Sequence, residues 1–285
     1  MAIVGNLRTL QLNRTTVRTG LWLAILTVAY SLTCWFGLDD ATLPAHTSVV
    51  WPASGIALAA CTRWGRRAWL GVWVAALLVN LWIVATPAGI SPLALGIAAS
   101  IALGTTIQAA CTAALLQRVA PAGLFVRASA VFRFTGVAAI CAVLAPSWTG
   151  FTLLFATVAN SGTLLDAWPA WWFADLTGVL VFAPLLLQWR EILRVSRRKG
   201  WIPEAIGTVV ATIGISIVVY VGWDSVDNPQ NLLAFVALPC VVWIAFRFRP
   251  PGVALTAAFV AAIAVGAMNQ DAGPLHREVT RNSFL

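Results

Sequence analysis

The chain has 285 residues, of which 60% are hydrophobic and only 10% charged, against roughly 45–50% and ~25% in ordinary soluble domains. So few polar groups cannot clothe such a surface in water, so the chain reads as an integral membrane protein with the lipid bilayer as its first partner and no soluble domain at either end. A net charge of +8 would suit a nucleic-acid binder, but the basic residues are scattered through short segments between apolar runs, which is a topology pattern and implies no nucleic-acid partner.

In chain order, a polar arm (residues 1–19) with Arg8, Arg14 and Arg18 precedes the first apolar run. No small-residue cleavage site follows that run, so it is read as an uncleaved first span. The pattern predicts an all-α polytopic bundle of about nine transmembrane helices, eight to ten, at about 20–37, 48–62, 68–85, 93–117, 129–148, 168–189, 203–222, 232–248 and 252–268. A membrane domain then covers residues 20–268, and a polar tail covers 269–285. Ending outside, that tail is expected to be cut short of a further span and an output domain.

With the amino terminus in the cytoplasm, 16 of the 18 basic residues fall on the inner side. Arg63, Arg66 and Arg67, then Arg118, Arg127 and Arg133, then the cluster Arg190 to Lys199 alternate with outer segments that carry only Asp39, Asp40, His46, Asp166, Asp224 and Asp227. Such an asymmetry fixes orientation. Trp51, Trp82, Trp148 and Trp168 then mark the outer interface, and Trp64, Trp69 and Trp189 the inner one, as aromatic belts do.

Two regions are irregular. Pro52 suits the first turn of a helix, which leaves only ~12 residues, or ~18 Å, before the basic turn. Two readings stay open: residues 43–50 dip into the membrane as non-helical backbone, or the span is short beside thinned bilayer. After Pro146 the run continues to about Ala159, too short to recross, and is either a kinked extension of the fifth span or a segment on the outer surface.

The sixth run, WPAWWFADLTGVLVFAPLLLQW, carries Asp175 seven residues, or ~10 Å, below Trp168. A carboxylate at that depth needs a partner, a cavity or a proton. Asn80 of the third span reaches a similar depth, Trp51 and Ser54 enter from the second, and Trp171 and Trp172 flank Asp175. These six residues form the candidate ligand-binding set: indole walls with Asp175 and Asn80 as polar anchors for a small molecule of unknown identity. Against this stands a packing role in which Asp175 and Asn80 bond each other or a carbonyl; Gln108 is read as interhelical glue. The five cysteines have no metal-ligand spacing, the two histidines lie in outer segments, and no hydrolase, redox or phosphate-loop motif is present. No catalytic residue, metal site or cofactor is therefore assigned.

The stretches WPASGIALAA (Trp51 to Ala60), GRRAWLGVWVAALLVNL (Gly65 to Leu81), WWFADLTGVLVFAPLLL (Trp171 to Leu187) and LPCVVWIAFRFRPPG (Leu238 to Gly252) occur in register over most of the chain. In these the chain resembles the membrane-associated sensor domain family, type one. The resemblance implies a non-enzymatic sensory module of the bacterial inner membrane. It also implies a cytoplasmic output, a histidine kinase or a cyclic-di-GMP enzyme, attached to it or carried by a separate membrane partner. Trp51, Pro52, Asn80 and Asp175 match the family's own motif positions. The chain departs from the family in ending on an outward tail, so no output activity is credited to these residues. A small transporter using Asp175 for proton or solute coupling is the alternative, without an acidic relay toward the inner side. The ligand is unknown and a homodimer is left open.

Overall fold

The computed structural model describes residues 25, 27–32, 50–120, 124, 125, 127–191, 203, 206, 207, 210, 211, 214 and 252–260. Among these residues all regular structure is helical and no strand occurs. In order, the helices are α1 (Pro52–Trp64), a 3-10 turn at Gly65–Ala68, α2 (Trp69–Ala88), α3 (Pro92–Val119), α4 (Ala128–Cys141), α5 (Leu144–Phe155) and α6 (Ser161–Leu187). Residues 252–260 are also helical.

Four runs are long and apolar enough to cross a membrane: Pro52–Thr86, Pro92–Val119, Ala128–Phe155 and Ser161–Leu187. The chain is a multi-pass membrane protein, and the described residues hold four candidate spans where the sequence predicts about nine over its whole length. Part of the difference is that two predicted spans, 48–62 and 68–85, fall within the first run, which is interrupted at Gly65–Ala68. The spans predicted at 203–222 and 232–248 lie outside the described residues but for six helical positions in the former. Those at 20–37 and 252–268 are described only at 25 and 27–32 and at 252–260.

Local chemistry sets the helix ends. Ser91 caps α3, its Oγ accepting from the Ala94 N–H at 3.1 Å, and Pro92 follows at the first helical position. Gly65 closes α1 at φ +59°, a conformation that a side chain would resist. Asn160 caps α6, accepting from the Thr163 N–H at 2.9 Å, so the helix starts seven residues before the predicted Trp168 and carries Pro169 inside it. The segment after Pro146 is helical: α5 extends the fifth span to Phe155 beyond a break at Ala142 and Val143, which is the kinked-extension reading.

The interior is built from small side chains. Ala53 and Ala57 of α1, Ala75 and Ala76 of α2, Ala102 of α3 and Ala183 of α6 are completely buried. Helices in lipid gain little from hydrophobic transfer between them, so close backbone approach and dispersion contacts hold them together. Glycine makes the closest approach. A Cβ on Gly178 would stand 2.6 Å from the Trp51 carbonyl carbon, and one on Gly55 would stand 2.7 Å from Phe182 Cβ. Large apolar groups such as Phe132, Ile140, Phe151 and Phe155 point outward, where lipid is the solvent.

Candidate functional site

The docking of α1 on α6 builds the site. Trp51, the residue before α1, donates its backbone N–H to Ala174 O at 2.9 Å. That places the first turn of α1 against the middle of α6, and Gly178, one turn after Ala174, leaves room for it. Ser54, the third residue of α1 and 3% exposed, donates its hydroxyl to Asp175 Oδ1. The thirteen-residue α1 thus begins halfway along its neighbour, and the dip predicted for residues 43–50 lies, but for Val50, outside the described residues.

The other carboxylate oxygen is held from α3. Gln108 Nε2 donates to Asp175 Oδ2 at 3.1 Å, and Gln108 Oε1 accepts the Ala145 N–H at 2.8 Å. Because a backbone N–H can only donate, the amide oxygen must face Ala145 and the amide nitrogen must face Asp175. Gln108 is 4% exposed, and Asp175 is half-buried. One carboxylate thus joins α1, α3 and α6 and, through the amide, the start of α5. Both of its partners are neutral donors. The arrangement can hold a charge by hydrogen bonding, accept a proton without losing Ser54, which can donate or accept, or present the carboxylate to a cation or donor ligand.

Asp175 lies 14 residues (~21 Å) from Ser161 and 12 residues (~18 Å) from Leu187, near the middle of α6, and seven residues (~10 Å) after Trp168.

Of the six predicted site residues, the structure brings Ser54 to the Asp175 carboxylate and Trp51 to the α6 backbone beside it. Asn80 turns back on its own helix, its Nδ2 donating to Ala76 O at 2.8 Å, which is the carbonyl-bonded form of the packing role. Trp172 reaches α4 instead, with its Nε1 donating to Ala139 O at 3.0 Å, and Trp171 is half-buried. Gln108 is the residue that the predicted set lacks. A signal for it was present: Ser54, Gln108 and Asp175 lie 10, 11 and 12 residues before the ends of α1, α3 and α6, and each of those helices leads into arginines.

Indole N–H groups supply further bridges. Trp73 donates to Ala99 O (3.3 Å), Trp148 to Ser100 Oγ (3.2 Å) and Trp168 to Ser147 Oγ (3.1 Å), so Trp148 and Trp168 tie helices together. Among the described residues no group of three or more His, Cys, Asp or Glu side chains is placed to hold a metal. Cys61 and Cys141 are buried free thiols, consistent with packing.

Neither a curated protein nor a solved structure matches the chain. The MASE1 family model matches residues 22–284, nearly all of it, and so spans every helix described above. A multi-pass chain whose regular structure is helical among the described residues, with a polar junction inside it and matched over that length, belongs to the MASE1 family of membrane-associated sensor domains.

Proposed function

We propose that the chain is a sensory input domain of a bacterial inner membrane, with its amino terminus in the cytoplasm, and that its stimulus acts on the hydrogen-bonded junction at Asp175. The stimulus is periplasmic or borne by the membrane, and its effect passes to a cytoplasmic output such as a histidine kinase or a cyclic-di-GMP enzyme. The observation that carries this reading is the pair of bonds from α1 and α3 to the two oxygens of one carboxylate. Any event that neutralises or captures the carboxylate changes both bonds together. At ~1 kcal/mol for each interhelical hydrogen bond in a membrane, the two amount to ~2 kcal/mol, or about 30-fold in a two-state equilibrium. That is within the ordinary range of coupling between sites in allosteric proteins.

The test is a chimera that joins this domain to an output domain of known activity. Asp175→Asn is expected to leave insertion and abundance unchanged and to shift the output toward a constitutively high or low level. An unchanged response to stimulus in that chimera removes Asp175 from the mechanism.

A further inference from the structure

The break between α4 and α5 is where the Asp175 junction ends. Ala142 still donates to Ala138 O at 2.8 Å, Val143 reaches back only three residues to Ile140 O through a long bond of 3.4 Å, and the helical pattern resumes with Ser147 donating to Val143 O at 3.2 Å. Between them, the Ala145 N–H leaves the backbone ladder altogether and donates to Gln108 Oε1. Pro146 has no N–H to offer. A side chain from another helix inserted into the ladder is one of the few physical causes of a sharp helix break. The far end of that same planar amide sits on Asp175.

We infer that Gln108 is a positioning residue that couples the state of Asp175 to the α4–α5 break. The amide is rigid, so its two arms cannot move independently. While Asp175 carries its charge, the Nε2 arm is held by a charge-assisted bond and the Oε1 arm is fixed on Ala145. When the carboxylate is neutralised or taken by a ligand, that hold weakens, the amide can turn, and the N–H at the break loses its acceptor. The break sets the direction of α5. That helix lays Trp148 across Gly104 of α3, where a Cβ would come within 2.7 Å of the indole, and bonds the same indole to Ser100. The motion therefore reaches α5 and the Trp148 contact.

This inference deepens the sensory reading and rests on it for the identity of the input, but the coupling itself is measurable with no output domain attached. Two indoles flank the break as reporters: Trp172 bonds to α4 just before it, and Trp148 bonds to α3 from α5 just after it. The full chain is labelled with 5-fluorotryptophan in phospholipid nanodiscs. Its fluorine NMR resonances for these two residues are identified by Trp148→Phe and Trp172→Phe.

Asp175→Asn is expected to shift both resonances. In a Gln108→Met background, which keeps side-chain length and removes both hydrogen bonds, Asp175→Asn should still shift Trp172, its near neighbour on α6, and leave Trp148 in place. If Gln108→Met does not fold, Gln108→Asn keeps the amide but is one methylene too short to span both partners, and should likewise abolish the Trp148 shift. A Trp148 resonance that does not respond to Asp175→Asn, or that responds equally with Gln108 substituted, overturns the coupling. A positive result here beside an unresponsive chimera would retain the coupling and reject the sensory role, and the converse pair would do the opposite.

Discussion

Asp175 and Gly178 lie three residues apart on α6 and so share the face that α1 covers. The first needs a donor and the second needs to be small, and α1 supplies Ser54 to one and the Trp51 carbonyl to the other. Gly178→Ala would press a methyl group into backbone that cannot rotate away. It should lower stability by ~2 kcal/mol or more, as overpacking does. Gly136→Ala, where an added Cβ meets nothing within 4 Å, should be neutral or stabilising by up to ~1 kcal/mol from helix propensity. Denaturant unfolding in detergent compares the two, and equal effects would mean that α1 does not approach α6 as described. At this scale the sequence revealed the need but not the partner. A carboxylate inside an apolar run announces that it must be satisfied, and Ser54 could be found from the short second span. For Asn80 the packing alternative, a bond to a backbone carbonyl, matches its bond to Ala76 O one turn earlier on the same helix.

The α4–α5 run shows how an element can depend on a side chain outside it. Gln108→Met should destabilise the protein by ~2 kcal/mol, at ~1 kcal/mol for each interhelical hydrogen bond in a membrane, because the Ala145 N–H and Asp175 each lose a partner. Gln117→Met, exposed nine residues later on the same helix, should stay within ~0.5 kcal/mol of the parent. Unfolding measured on both variants checks this, and equal stability of the two would contradict it. Helix existence was legible from apolar run length, and the caps at Ser91 and Asn160 are written in the sequence. Rotation of each helix about its axis was not legible, because a helix that is apolar all round carries no polar face to orient it. Gln108 therefore read as one interhelical contact among others rather than as the residue facing Asp175.

Across the whole molecule, the charge pattern predicts orientation, and among the described residues small side chains set packing. The turn at Gly65–Ala68 and the start of α4 carry Arg66, Arg67 and Arg127, whereas the ends at Gly89 and Val158 carry no basic residue. Single cysteines replacing Arg66 and Arg127 should react with an impermeant thiol reagent only from the cytoplasmic side, and those replacing Ile90 and Val158 only from the opposite side. All four labelling from one side would refute the topology. Orientation is an expectation from the sequence alone, and one that tolerates boundary errors of several positions because the positive-inside bias is a sum over many residues. At the centre of the molecule one carboxylate holds α1 and α3 together on α6. A double-mutant cycle of Ser54→Ala and Gln108→Met on unfolding free energy measures this directly. If both residues serve Asp175, removing the second donor strands the carboxylate, and the double variant loses ~0.5–3 kcal/mol more than the sum of the singles. Additivity within ~0.3 kcal/mol would show that the two residues do not share Asp175.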